Sequence, residues 1–409
     1  MNPRLFGCST TIVDNILVVG TPSIGKKGCI HTYKLSERDV IDAAPPLYAL
    51  NGHSDDGFGI SCKLYSVTPE KLRLIVGAHR KTEQSISSGA AYIYESNDFG
   101  NSWDFKDQLL PSVSNHKSFF GCSVDINDTT AIVGAHGDNT EGWRVGAVSI
   151  YNEIKPGNWQ CIRTLLPGSF SNNGGASFRP TCSYFGFSVS LSQKFIAVGS
   201  PSEKTNGSVY LFHTQDKWDS DNVLSHRIEG DNRFGFSVEL SDEKLVIGSP
   251  GTDGIPGKAS IYNTSAFFDA VRGFIPAALS QRPTYCDIIR TKSKSSKALF
   301  GRDVAIYDDF VIASGFGKDN TEFVGSAFLF LRNKNGMDLE PVACLRDRDA
   351  AQLFGHTVSI NNQFVVIGDP TSDKVHIYLI RNLLGGNSKR WHNSSQCIDA
   401  PEEYLIQIN

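Results

Sequence analysis

The sequence predicts an all-β fold, a seven-bladed β-propeller of four-stranded antiparallel blades, and three observations predict it. Seven segments begin with the dipeptide Phe-Gly, at Phe6, Phe58, Phe120, Phe185, Phe234, Phe300 and Phe354. A glycine closes an apolar run a fixed distance later, at Gly20, Gly134, Gly199, Gly248 and Gly368; Gly77 does so after a longer turn, and Ser314 stands there in the sixth repeat. A third column sets a small residue five places before an aromatic one: Gly28/Tyr33, Gly89/Tyr94, Gly146/Tyr151, Gly207/Phe212, Gly257/Tyr262 and Gly325/Phe330, with Asp373/Tyr378 in the seventh repeat. Seven in-register copies separated by unequal steps describe a fixed unit with variable loops.

One unit justifies each strand. "FGFSVELS" alternates apolar and polar residues with period two, which is a strand. "SDEK" is a tight turn, and "KLVIG" is a nearly continuous apolar strand, as a buried one should be. "SPGTDGIPG" is a Gly/Pro loop, and "KASIYN" is the third strand. A fourth, less regular strand precedes the next Phe-Gly: "PPLYAL", "SWDFKDQLL", "NWQCIRTLL", "LSHRIEG", "TYCDIIR", "EPVACL" and, last, "EEYLIQI". Four strands in seven copies close into one ring, so residues 1–409 read as a single domain whose two ends meet. "SNDFGNSW" sits in the turn between strands three and four of the second repeat. Its Ser96, Asp98, Gly100 and Trp103 have the spacing of an Asp-box, and the spacing serves the turn: Asp98 accepts from backbone N–H groups, Gly100 takes a left-handed conformation and Trp103 packs inward.

Composition narrows the function. The chain has 409 residues, 40% of them hydrophobic, 38 glycines and a net charge of −4, which argues against nucleic acid as a partner. No apolar run is long enough to span a membrane, and the N-terminus lacks the pattern of a secretory signal. None of the nine cysteines forms a Cys-x-x-Cys pair, and most sit inside apolar runs, so they read as buried free thiols. "GTPSIGKK" lacks the hydroxyl and the following helix of a phosphate loop, and no zinc-protease helix or nucleophile elbow occurs. The four Asn-x-Ser/Thr sequons, at Asn127, Asn206, Asn263 and Asn393, match chance for this composition.

The Phe-Gly start with endings such as "GTP", "GAH", "GSP" and "GDP" resembles the FG-GAP repeat, which builds the seven-bladed head of integrin α chains and occurs in many surface proteins; the style here is closest to the bacterial branch. The resemblance covers essentially the whole chain. It implies an extracellular or cell-surface place, while the cysteines and the missing signal keep a cytoplasmic one open. Integrin-type repeats carry Asp-x-Asp-x-Asp-Gly calcium loops between the first two strands. The turns here ("VDN", "NDTT", "SQK", "SDEK", "YDD", "NNQ") lack the oxygens calcium requires, so no cofactor or metal is expected.

The resemblance implies that partners bind on the face bearing the loops from strand two to strand three and the loops joining blades. His79 and His136 occupy one column there, with Arg80 beside the first. Trp143, Arg144, Phe178, Arg179 and Phe323 fall on loops of the same face, and Trp and Arg are the residues most enriched at binding hot spots. The expected function is a non-enzymatic, adhesion-type binding module with a protein partner and no catalytic residues. A carbohydrate-binding lectin, with a glycan as partner, is the first alternative and a glycosidase or lyase the second; for the latter, Asp138 and Asp369 are the acids that stand out. "SFRP" (177–180) is one residue short of the sialidase arginine motif. Two inserts, 263–283 and 381–402, are placed on the opposite face.

Overall fold

The computed structural model describes residues 4–83, 86–167, 182–214, 216–220, 223–251, 257–264, 286–289, 300–319, 322–332, 339–347, 353–385 and 404–407. They form seven four-stranded antiparallel sheets arranged as the blades of a propeller. Strands 57%, helix 2% is the balance that the Gly-rich, aromatic-rich composition requires.

The first strand of each blade is the innermost and lines a central channel: Ser9–Val13, Phe58–Ser66, Ser123–Ile126, Ser188–Leu191, Ser237–Leu240, Val304–Tyr307 and Thr357–Ile360. The second strands, such as Thr130–Ala135 and Phe195–Ser200, are buried throughout, which explains their unbroken apolar runs. Fourth strands are the exposed outer edges. In the first blade this strand is Val40–Leu47, earlier than the expected "PPLYAL" at 45–50. Pro45 and Pro46 fall inside it because an outer edge needs no inward N–H at every position, and the register shifts twice there. In the sixth blade the loop expected to carry Phe323 is instead a continuation of the middle hairpin, Phe310–Asp319 paired with Glu322–Arg332. Its second strand lacks the Pro or His that ends the ladder in the other blades.

The three repeat columns meet at the blade junctions. Every Phe of the Phe-Gly pair is buried, with its ring edge-on to an aromatic of its own blade's third strand; Phe6 meets Tyr33 and Phe120 meets Tyr151 at 6.4 and 6.3 Å. The following glycine has positive φ in all seven copies, from +83° to +91°. Its carbonyl is the point against which the preceding blade packs. A Cβ at Gly20, Gly77, Gly134, Gly199, Gly248 or Gly368 would strike that carbonyl, and one at Gly28, Gly89, Gly146, Gly207, Gly257 or Gly325 would strike the adjacent Phe carbonyl. The glycines are therefore close-approach positions.

A fourth column, invisible to the glycine count, ties the same carbonyls. In six of the seven blades the residue three places after the Phe donates its hydroxyl to the next blade's glycine: Ser9 to Gly59 (2.9 Å), Ser61 to Gly121 (2.8 Å), Ser123 to Gly186 (2.9 Å), Ser188 to Gly235 (3.0 Å) and Ser237 to Gly301 (3.4 Å). Thr357 to Gly7 (3.2 Å) closes the ring. Among the described residues no strand is exchanged at closure. Asp373 accepts from Phe6 N–H at 3.0 Å where other blades carry glycine, Thr10 and Ser359 hydroxyls meet at 2.6 Å, and Phe6, Val19 and Val375 share one core cluster.

Ser96–Trp103 forms the expected turn. The Ser96 hydroxyl donates to Asp98 (2.7 Å) and accepts from Gly100 N–H (2.8 Å), Ser102 donates through both N–H and hydroxyl to Asp98, and Gly100 has φ +77°. Trp103 reaches into the neighbouring first blade, where its indole N–H donates to Thr32 at 3.0 Å. Six described cysteines are free thiols, but Cys344 is disulfide-bonded, which corrects the expectation that all nine are unpaired. No helix among the described residues is long and apolar enough to cross a membrane.

Candidate functional site

The channel holds a cavity of about 630 Å³ lined by the first strands of all the blades. Residues two, three and five places after the Phe of most blades line it, so three rings of side chains stack along the axis.

The outermost ring is a collar at the mouth. Blades four to seven supply Phe187, Phe236, Arg302 and His356, blade one supplies Cys8, and blades two and three supply His79 and His136 from the loops after their second strands. The contacts run on almost without a break. Phe119 stacks on His136 at 5.1 Å and approaches His79 at 5.9 Å; His136 meets Phe187 at 5.4 Å, and Phe187 meets Phe236 at 4.7 Å. Arg302 lies over Phe236 at 5.5 Å and contacts His356 Nδ1 at 3.1 Å, and His356 Nε2 is 3.8 Å from the Cys8 thiol. Burial pushes His79 down to about 4, with Arg80 and His136 adding to it; burial and then Arg144 push His136 to about 4, and burial and then Arg302 push His356 to about 3. All three imidazoles are neutral at pH 7.

The second ring is the hydroxyl column that binds blade to blade. Its exception is Asp303, whose carboxylate accepts from Val358 N–H at 2.8 Å. Burial raises that carboxyl to about 7.

The third ring crosses the channel. Lys63 of blade two reaches Glu239 of blade five at 2.6 Å and Asp125 of blade three at 3.7 Å. Burial opposes the Lys63 charge, but Asp125 and Glu239 together outweigh it and raise its pKa; burial raises Glu239. Asp125 accepts from Leu191 N–H (2.8 Å) and the Ser190 hydroxyl (3.2 Å), and Ser190 accepts from Leu240 N–H (3.0 Å), so this ring also stitches neighbouring blades.

The residues singled out from the sequence fall in different places. His79 and His136 are brought together in the collar. Arg80 is exposed at its rim. Trp143 is 65% exposed with the Arg144 guanidinium 5.3 Å over its ring; Arg144 also donates to the Tyr184 hydroxyl (3.2 Å), and its backbone N–H to Asn139 (2.8 Å). Phe323 lies in the extended hairpin of blade six, paired with Lys318, and not in a loop. Phe178 and Arg179 lie outside the described residues, as do most of the two opposite-face inserts.

Asp138 and Asp369 do not face the channel. Asp138 caps the Thr140 N–H (2.8 Å) and accepts from Asn115 (3.0 Å), and Asp369 accepts from the Thr371 and Ser372 hydroxyls (2.8 and 2.7 Å). They are loop caps; the acids lining the channel are Asp14, Asp125, Glu239 and Asp303. Asp369 does approach Asp347 and His376 in a grouping able to ligate a metal. Lys374 Nζ already stands 3.6 Å from Asp347 there. The first-to-second strand turns hold no such grouping among the described residues.

Arg302, His356, Phe187, Phe236, Lys63 and Glu239 were missed in the sequence. The signal was present as offsets from Phe-Gly, but a column of seven unlike residues does not look like a column until the ring is closed.

Among known proteins, the FG-GAP repeat family matches residues 103–151 and 181–212. No curated protein matches the chain. Among solved structures, Sqt1 from Chaetomium thermophilum aligns at 12% identity and TM-score 0.51, over 99% of this chain and 87% of that one. Sqt1 from Saccharomyces cerevisiae aligns at 9% identity and TM-score 0.49, over 100% and 87%. An ulvan lyase aligns at 9% identity and TM-score 0.47, over 93% of each chain. At such identities the likeness concerns the fold alone.

Proposed function

We propose, from the premise that the chain is a seven-bladed propeller of FG-GAP repeats, that it is a non-enzymatic binding module engaging a protein partner through its loop-bearing face. The observation that carries this is Trp143. A tryptophan 65% exposed, with an arginine stacked 5.3 Å over its ring, is a large rigid contact surface left in water. Asn139 and Tyr184 hold Arg144 in place, so little ordering entropy remains to be lost on binding. The test is capture of partner proteins from host extracts by the wild-type chain and by a Trp143→Ala/Arg144→Ala variant of equal thermal stability. The variant is expected to lose captured partners by at least about tenfold, as hot-spot truncations do. Full retention of every partner overturns the reading.

One observation favours a second reading, a glycosidase or lyase. Glu239 and Asp303 share the channel, and a carboxyl raised to about 7 has the protonation a general acid needs. Against it, Glu239 is already bound to Lys63. Turnover on a panel of glycosides and polyuronates, lost in Asp303→Asn, would establish it.

A further inference from the structure

The collar is more than an aromatic rim, because its polar groups are donors and its surroundings are basic. At His79 and His136 the Nδ1 atom is buried without a hydrogen-bond partner, and His79 Nδ1 is turned against Gly57. A neutral imidazole carries one proton, and a buried N–H without an acceptor costs more than a bare lone pair. Each ring therefore keeps its proton on Nε2, the nitrogen not sealed in the protein. Arg302 adds a guanidinium to the same ring. Three further arginines stand within electrostatic reach of collar members: Arg80 of His79, Arg144 of His136, and Arg233 of Arg302. No carboxylate figures among the groups acting on His79, His136 or His356, and the one that acts on Arg302 is its neighbour Asp303. On a chain of net charge −4, the mouth thus gathers four arginines against one adjoining carboxyl, Asp303, whose ionisation burial opposes.

We infer that the channel mouth is a socket for an acidic side chain of the protein partner, its carboxylate meeting Arg302 and the imidazole N–H groups while its stem lies against Phe187 and Phe236. The inference rests on the partner-binding reading above and adds the chemistry of the partner's contact. A polypeptide carboxylate is favoured over a sugar acid by what lies below the collar. A sugar presents hydroxyls that need acceptors as well as donors. Here the hydroxyls of Ser9, Ser61, Ser123 and Ser188 are turned to the next blade's glycine carbonyls, and Glu239 is engaged by Lys63. Charge-assisted contacts between a guanidinium and a carboxylate are also the stronger class of hydrogen bond.

The test uses the full chain and a fluorescein-labelled hexaglutamate peptide, read by anisotropy at low and high salt, with hexaglutamine and an oligouronate as the other probes. Hexaglutamate is expected to bind at least tenfold more tightly than hexaglutamine, and to weaken with salt. Arg302→Met is expected to lose at least tenfold in affinity, and the surface variant Arg80→Ala/Arg233→Ala about threefold, so the prediction stands even where Arg302→Met fails to fold. Equal binding of hexaglutamine, preference for the oligouronate, or unchanged affinity in the surface variant overturns the socket. The two proposals fail separately. If Trp143→Ala/Arg144→Ala abolishes partner capture while the arginine variants leave capture and peptide binding unchanged, the socket is wrong and the partner-binding face stands. If the arginine variants abolish peptide binding while Trp143→Ala/Arg144→Ala captures every partner, the Trp143 face is wrong and only the carboxylate chemistry of the channel mouth stands.

Discussion

At six of the seven blade junctions a glycine abuts the next blade's glycine carbonyl; at the junction of blades six and seven, Ser314 stands in its place. The regular junctions are a steric lock plus one hydroxyl bond, as between Gly134, Ser123 and Gly186. The sixth changes both parts together. Asp303 replaces the hydroxyl donor and sends its carboxylate to Val358 N–H instead. Ser314 exchanges hydrogen bonds with the Asp303 backbone (3.2 and 3.3 Å). A Cβ on Gly355 would come to 3.1 Å from the Ser314 Cβ, so the two blades still approach closely. The difference teaches that the glycine is required by its neighbour and not by its own strand: when the partner residue changes, a side chain can enter. It also places a buried acid and Arg302 at the channel, so the one irregular junction supplies the chemistry that the regular ones lack. Departures from local rules concentrate where function does.

The comparison breaks first at the glycines. Gly134→Ala puts a methyl group into the Gly186 carbonyl, and with close-packed blades on both sides it is expected to cost roughly 4 kcal/mol or more, in the range of severe core damage. Ser314→Ala should cost under about 1 kcal/mol. Thermal unfolding followed by circular dichroism decides it, and wild-type stability in Gly134→Ala would refute the steric lock.

Asp303→Asn sharpens the electrostatic half. The folded-state pKa of Asp303 is raised from 3.8 to about 7, so the folded form holds its proton more tightly than the unfolded chain. That contribution is full below about pH 4 and is lost as pH rises through about 7. Asparagine can still accept from Val358 N–H and never ionises. Relative to wild type, the variant should therefore be more stable at pH 8, by about 2–4 kcal/mol at 1.36 kcal/mol per pKa unit, and near equal at pH 4. Denaturant titrations at the two pH values measure the difference, and an equal offset at both would refute the burial argument.

The smallest effect is expected at the hydroxyl column. Ser123→Ala removes the donor to the Gly186 carbonyl, worth about 1 kcal/mol, and Cys122 Sγ, at 3.4 Å from the same oxygen, softens the loss. A cost above about 3 kcal/mol would move the main burden of the junction from sterics to hydrogen bonding.

Much of the fold was legible because its cause is repeated. Phe6 and its six equivalents are buried for the same reason each time, so one mechanism is printed seven times in the chain. The outer strand of blade one was misplaced because an edge strand tolerates Pro45 and Pro46 and leaves a weak pattern. The candidate site was legible only in part. His79 and His136 were found as a column, and Trp143 as a loop aromatic. Asp138 and Asp369 drew notice as acids, yet their oxygens are consumed by Thr140, Asn115, Thr371 and Ser372.

The sequence alone determined the number of blades, the strand order and the glycine columns, because alternation and turn chemistry act within one repeat and recur in the next. The collar and the Lys63–Glu239 bridge were decided by the tertiary structure. Lys63 and Glu239 are 176 residues apart, and nothing in either strand names the other. Only closure of the ring, which brings Gly7 against Thr357, turns seven unrelated side chains into one surface with a charge and a shape.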